Sequence, residues 1–408
     1  MRKFELIILP IAVTLLSIAC SRDSDPPSTV GSPISTSSSS EVSANLIATE
    51  DIVELSFSKS LVGTGNPIDH LAIIDIENDG DKDIIVISEE SGSTIDSIIA
   101  YVNTGSGAFV EQVINDSSVA YAFELDIADL DGDGLEDIIV SSLYTDGQTN
   151  GINWYKNDSG FFSSNIQIFS IDASNKPPVL VAEDIDLDND LDLHFKYYAS
   201  DLSSSYTFYR AENDGEGQFT ISSQSYVADS VYIFTDLNND QKIDLIGDNE
   251  QSFNNRLAIH DDFSPPTYID VEGTVDGTMV LNDFNGDGID DLLYGGLGYY
   301  NKLSGNSLGT LDLEGSGLSL DHNTKRLITS EFNNDLAKDL VGVSTIDDVV
   351  FCMSGNNDFG FPKKWSAFAV DATGTLDVAD FNGDGRIDFV VGTQNGLEIH
   401  FNQVGSSQ

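Results

Sequence analysis

Short apolar runs alternate with acidic stretches on one plan along most of the chain. An apolar run such as HLAII (70–74) or SVYIF (230–234) leads into an acidic loop, and a second, often β-branched run leaves it: IIVIS (84–88), IIVSS (138–142), LIG (245–247), LLYGG (292–296) and FVVGT (389–393). Runs this short, bounded by polar turns, predict strands, and two of them flanking a tight loop predict an antiparallel pair. A third run ends in a glycine turn. YVNTGSGAF (101–109) and AENDGEGQF (211–219) share Asn-x-Gly-x-Gly-x-Phe, and WYKNDSGFF (154–162) is a shortened copy. The glycines supply the positive φ that a tight hairpin needs. A fourth run leads to the next acidic loop. No long segment has helical period, so the chain reads as all-β.

The acidic loop follows Asp-x-Asp-x-Asp-Gly-x-x-Asp. It stands as DIENDGDKD from Asp75, DLDGDGLED from Asp129, DIDLDNDLD from Asp184 and DLNNDQKID from Asp236. DFNGDGIDD from Asp283, EFNNDLAKD from Glu331 and DFNGDGRID from Asp380 complete the set. The starts are 54, 55, 52, 47, 48 and 49 residues apart. That period suits a four-stranded blade, and seven such units predict a seven-bladed β-propeller. One spare strand, DIVELSFSK (51–59), precedes the first loop, and only FVVGT and GLEIHFNQ (396–403) follow the last. The N-terminal strand is therefore expected to complete the last blade, closing the ring without a free edge.

Charge narrows the partners. The chain has 408 residues, 18 Lys and Arg against 68 Asp and Glu, and a formal charge of −50. Coulomb repulsion disfavours nucleic acid and anionic lipid and favours cations. Residues 1–19 read as an export signal: Arg2 and Lys3, then an apolar run from Leu6 to Ala19 that is short for a membrane span. The segment resembles a bacterial lipoprotein signal, with Ala19–Cys20 in place, although Ser17 holds the position where Leu is usual. That resemblance implies lipidation of Cys20, and Ser21 implies sorting to an outer membrane; ordinary secretion is the alternative. Residues 20–50, rich in Ser, Pro and Thr, read as a tether, and 51–404 as the propeller. Cys20 and Cys352 are not expected to pair.

Calcium takes 6–8 oxygen ligands at about 2.3–2.6 Å. In a tight loop, oxygens at positions 1, 3 and 5 converge, Gly suits the sharp turn at position 6, position 7 offers its carbonyl and a carboxylate at position 9 closes the shell. In the loop from Asp129 position 12 is Val140, inside a strand run, so this is a β-hairpin loop and not an EF-hand. The seven repeats, over roughly residues 51–404, resemble the FG-GAP/VCBS family, whose relatives include the integrin α-subunit propellers. The Phe-Gly/Gly-Ala-Pro signature is faint here, as in DFGFP (358–362), which favours the bacterial VCBS-like branch. The resemblance implies Ca²⁺ ligands Asp75, Glu77, Asp79, Asp83; Asp129, Asp131, Asp133, Asp137; Asp184, Asp186, Asp188, Asp192; and Asp236, Asn238, Asp240, Asp244. It further implies Asp283, Asn285, Asp287, Asp291; Glu331, Asn333, Asp335, Asp339; and Asp380, Asn382, Asp384, Asp388. Up to seven ions follow, with the Glu331 loop weakest because Leu336 holds the turn position and Glu331 is longer than Asp. The loops carry 28 carboxylates, whose repulsion bound cations would relieve.

Signs of catalysis are sparse. The five histidines are scattered, and His194 and His400 read as packed residues. Recognition is expected on the face opposite the loops, where Tyr144, Tyr197, Tyr198, Tyr299 and Tyr300 are candidates to stack on sugars or anchor a protein. The expected function is a calcium-stabilised, monomeric surface propeller that binds a glycan or protein without catalysis. A lyase-like polysaccharide enzyme, with Arg210, Arg256 or Lys302 as charge neutraliser, is one alternative, and a component of an envelope assembly is another.

Overall fold

The computed structural model describes residues 57–63, 65–89, 96–114, 119–144, 150–163, 165–171, 179–184, 186–197, 207–224, 232–237, 240, 242, 244–248, 256–260, 267–271, 278–296, 299–306, 310–313, 317–320, 324–346, 348–364, 368–369 and 371–403. The export signal, Cys20, the tether, Asn238 and Tyr198 lie outside them. Among the described residues no helix is long and apolar enough to cross a membrane.

Seven four-stranded antiparallel blades form a propeller, and the described residues contain no helix. Blade 1 runs Ile68–Ile74, Asp83–Glu89, Asp96–Asn103 and Phe109–Val113. Blade 2 runs Val119–Ala128, Asp137–Tyr144, Gly151–Tyr155 and Ile166–Ser170, and blade 3 Val179–Glu183, Asp192–Tyr197, Thr207–Glu212 and Thr220–Gln224. Blade 4 comprises Tyr232–Thr235, Asp244–Asp248, Arg256–His260 and Thr267–Asp270. Blade 5 comprises Thr278–Asn282, Asp291–Gly296, Tyr299–Asn306 and Thr310–Leu313, and blade 6 Arg326–Ser330, Asp339–Ser344, Val349–Asn356 and Gly360–Lys364. Blade 7 takes Ala372–Ala379, Asp388–Thr393 and Gly396–Asn402, and its outer strand is Phe57–Val62.

That closing strand pairs antiparallel with Gly396–Asn402, from Phe57 opposite Asn402 to Val62 opposite Leu397. The expected closure is therefore present over Phe57–Val62; residues 51–56 lie outside the described residues. Phe57 sets its ring edge against Phe389 and Phe332, with centroids 4.8 and 6.4 Å away. The first strands of blades 5, 6, 7, 1, 2 and 3 are innermost and neighbour one another in that order around the axis.

The second strands explain the unbroken apolar runs of the sequence. Asp339–Ser344 and Asp388–Thr393 are buried throughout, because each is covered on both faces by neighbouring blades. Core therefore lies in the seams and not in one centre. Blades 7 and 1 share Ile84, Val86, Phe381 and Val390; blades 6 and 7 share Val341, Cys352, Leu376 and Val391. Four other seams hold comparable clusters. Between blades 3 and 4 the described contact is aromatic and polar: His194 meets the edge of Phe234 at 4.6 Å.

Candidate functional site

The acidic loops join the first and second strands of the blades, so all open on one face of the ring. Each is wound around its first residue. Asp129 accepts the Gly132 and Asp133 N–H on Oδ1 at 2.9 and 3.2 Å, and the Gly134 N–H on Oδ2 at 2.8 Å. Asp133 then accepts the Leu135 N–H at 3.0 Å. Asp283 and Asp380 repeat this arrangement. Asp75 and Asp184 keep its last two bonds, and Asp236 holds the Asp240 N–H.

These bonds need left-handed backbone at two positions, of which the sequence pattern marked only the second. Position 4 is left-handed at Asn78, Gly132, Leu187, Gly286, Asn334 and Gly383, and position 6 at Gly80, Gly134, Asn189, Gly288, Leu336 and Gly385. Leu336 holds φ 69° while 86% exposed, a strained choice with no packing return. Glu331 also departs from the rest, accepting the Asn333 and Asp335 N–H on a single oxygen. The loop expected to be weakest thus combines a left-handed Leu at position 6 with a first residue that accepts through a single oxygen.

The closing aspartates do a second job. Asp83, Asp137, Asp192, Asp291, Asp339 and Asp388 are wholly buried. Asp83 accepts the Ile76 N–H at 2.7 Å on one oxygen and the Asn103 N–H at 2.6 Å on the other. Asp137 does the same with Leu130 and Asn157, and Asp388 with Phe381 and Asn402. Each carboxylate thereby ties its loop to the third strand. Burial pushes Asp83, Asp137 and Asp291 up to about 6 and Asp339 and Asp388 up to about 7, against the pull of these hydrogen bonds.

The donor set in two loops fits a hard cation. Carboxylate oxygens of Asp129, Asp131 and Asp137 lie within 4.8 Å of one another, as do those of Asp184, Asp186 and Asp188. Two oxygens each about 2.4 Å from one ion are at most about 4.8 Å apart. Asp131 Oδ1 and Asp190 Oδ1 are buried without a hydrogen-bond partner, so both loops keep an unspent acceptor. Two basic side chains reach the same groups. Lys156 Nζ meets Asp131 and lies 3.0 Å from Asp133; Arg210 bridges Asp186 and, at 2.7 Å, Asp192.

The asparagine of the glycine turn was missed as a functional residue. Asn103 donates from Nδ2 to Lys82 O and to Phe381 O in the preceding blade. Asn157 reaches Glu136 O and Ile76 O, Asn213 reaches Leu191 O and Leu130 O, and Asn402 reaches Ile387 O and Phe332 O. One residue thus sews its own loop to its neighbour's. Gly305 and Gly355 take its place in blades 5 and 6, where a Cβ would lie 2.1 and 1.9 Å from the carbonyls of Asp290 and Lys338. The turn glycines have their expected φ, and Gly107 and Gly217 also leave room for Phe401 and Trp154 of the preceding blades.

The tyrosine candidates separate. Tyr300 is wholly buried in the seam of blades 5 and 6, because strand alternation turns it inward, and it cannot meet a ligand there. Tyr299, one residue earlier, is half-buried. Tyr144 and Tyr197 end their second strands on the side away from the loops. The three basic candidates are engaged elsewhere: Arg210 in a loop, Arg256 with Asp270 and the Tyr268 ring, and Lys302 over the Phe359 ring at 4.9 Å. His194 and His400 are buried as expected; His400 stacks on Phe389 at 4.5 Å. Cys352 is a buried core thiol whose pKa burial raises.

Residues 75–140 and 129–195 match the FG-GAP-like repeat family, and the two matches span the first three loops. No curated protein matches the chain. Among solved structures, the exotype rhamnogalacturonan lyase YesX superposes with a TM-score of 0.52 at 12% identity, over 85% of this chain and 74% of that one. That likeness concerns the fold.

Proposed function

We propose that the protein is a calcium-stabilised binding propeller, exported and anchored through a lipid on Cys20, that presents the face opposite its loops to a glycan or protein partner. The observation that carries the calcium reading is the Asp129 loop. Three convergent carboxylates, one buried acceptor without a partner and two left-handed turn positions come together in this one loop. Asp129, Asp131, Asp133 and Asp137 would hold the ion there, and a bound cation would relieve the repulsion among them. The ligand sets expected for the other loops follow the same order, with the Glu331 loop the weakest. Ca²⁺ titration of chelator-treated protein, followed by calorimetry, tests this reading. A melting temperature that does not rise with added Ca²⁺ would refute it.

A second reading, a polysaccharide-active enzyme of the lyase type, is supported by the shared fold with a rhamnogalacturonan lyase. New unsaturated products absorbing in the ultraviolet, formed from an acidic polysaccharide, would establish it over the non-catalytic reading.

A further inference from the structure

The inner strands of five blades carry a polar residue at one level. Five positions before the loop start stand His70 in blade 1, Glu124 in blade 2, Val179 in blade 3, Thr278 in blade 5, Arg326 in blade 6 and Thr375 in blade 7. Register confirms the level. His70 pairs with Ile87, Glu124 with Ser141, Val179 with Lys196 and Arg326 with Val343, each partner four residues past its closing aspartate. Lys196 therefore brings an ammonium to the same height from blade 3.

Glu124, Lys196 and Arg326 are 4%, 5% and 8% exposed. They interact electrostatically across the ring: Glu124 with Arg326 and Lys196, and Arg326 also with Asp377 of blade 7. A side chain on blade 2 feels groups on blades 3 and 6 together only when it points inward. Yet no carboxylate lies within ion-pair distance of Arg326 among the described residues, and Glu124 Oε1 and Thr375 Oγ1 are buried without a partner. Buried polar groups left in this state cost stability unless something binds them. Burial, with Asp126 nearby, raises the Glu124 carboxyl well above its ordinary value, while Arg326 and Lys196 pull it down. Basic residues number 18 in the whole chain; Arg326 and Lys196 both act on Glu124 here, where an anion would otherwise meet an acidic protein.

We propose that Arg326 and Glu124 of the inner strands, with Lys196 of the adjoining second strand of blade 3, form a binding site for a carboxylate-bearing sugar, a uronate. The Arg326 fork and the Lys196 ammonium take the carboxylate, because a guanidinium pairs with that planar group through two parallel hydrogen bonds. Glu124 supplies a hydrogen bond to a sugar hydroxyl. A cationic pole beside a hydrogen-bonding side chain suits a sugar acid better than a neutral sugar or a simple anion. The site deepens the binding-propeller reading and rests on it, yet the two fail separately. Loss of Ca²⁺-induced stabilisation would count against the loops alone.

The test is calorimetric titration of the full, Ca²⁺-loaded chain with galacturonate and glucuronate oligosaccharides, with neutral galactose and glucose oligomers, acetate and a C-terminally acidic peptide as comparisons. Uronates are expected to bind at least about tenfold more tightly than neutral sugars or acetate. Arg326→Met should weaken uronate binding by about tenfold or more, and Lys196→Met should weaken it if Arg326→Met does not fold. Glu124→Gln, which keeps a hydrogen-bonding side chain, should retain binding that Glu124→Ala loses. Arg256→Met, at the outer side of blade 4, should bind as the parent does. Equal affinity for acetate, peptide and uronates, or unchanged binding in both Arg326→Met and Lys196→Met, would overturn the assignment.

Discussion

Asn103 donates from Nδ2 to the main-chain oxygen of Phe381 at 2.8 Å, a bond between residues 278 positions apart that joins the first blade to the last. The same amide group holds Lys82 O at 3.2 Å, and the Asn103 N–H is held by Asp83. Truncation to Ala would strand two carbonyls in a seam, a change worth about 1–3 kcal/mol. Asn103→Ala is therefore expected to lower the urea midpoint without altering its slope. Asn103→Asp should be worse, since an acceptor would then face two acceptors. An Asp variant as stable as the parent would contradict the clasp.

Closure through the N-terminal strand gives the second prediction. Phe57–Val62 covers the edge of Gly396–Asn402, and Phe57 fills the space beside Phe389 and Phe332. Deletion of residues 51–62 exposes a full strand edge, and the product should be insoluble or unfolded. Phe57→Ala keeps the edge paired and should instead cost about 2–4 kcal/mol of stability. A soluble deletion with the parent's melting temperature would dispose of the closure argument.

The loops were legible in the sequence because their chemistry is local. Nine consecutive residues contain the carboxylates, the turn positions and the closing aspartate, and the repeat spacing announced the blades. What stayed hidden depends on partners far away in sequence. Asn103 looked like part of a glycine turn because its two acceptors sit in different blades. Arg326, Glu124 and Lys196 carry no motif, and only the register of separate blades sets them at one height. Tyr300 was misplaced for a related reason: in GGLGYYNK, alternation decides which of two adjacent tyrosines faces the seam, and the pattern did not fix its phase. Leu336 shows the converse, where an unsuitable residue at position 6 already marked the irregular loop.

Competition between a built-in cation and a metal gives the third prediction. Lys156 holds the Asp131 and Asp133 carboxylates that the proposed Ca²⁺ site uses. Removing its charge in Lys156→Met should raise the Ca²⁺ affinity of that loop about tenfold, a change of about 1.4 kcal/mol. In the absence of metal the same variant should melt lower than the parent, because three acidic side chains then face one another without relief. Terbium luminescence titration and calorimetry in chelator measure the two effects. A variant with weaker metal binding would mean that Lys156 orders the loop and does not compete for it.

Stability in chelator should rise as pH falls from about 7.5 to about 5. Asp96, which accepts the Ala122 N–H at 2.7 Å, and Asp126 are both pushed up to about 6 by burial, and Glu124 is raised further. A carboxyl whose pKa is higher folded than unfolded contributes stability that is complete below its unfolded value, near 4, and is lost as pH rises through the folded one. Three buried histidines oppose the trend. His70, lowered to about 4, His194, lowered to about 3, and His400, also lowered by burial, favour folding above the ordinary histidine value and lose that contribution on acidification. The raised carboxyls outnumber them once Asp339 and Asp388, at about 7, are included. Asp96→Asn, which keeps an acceptor for Ala122, should flatten the profile by removing one of these titrations. Melting curves across this range, with and without Ca²⁺, decide the matter. Saturating metal should shrink the acid-side gain, because the loops then hold their carboxylates ionised. A melting temperature in chelator that falls steadily from pH 7.5 to 5 would show that the histidines dominate.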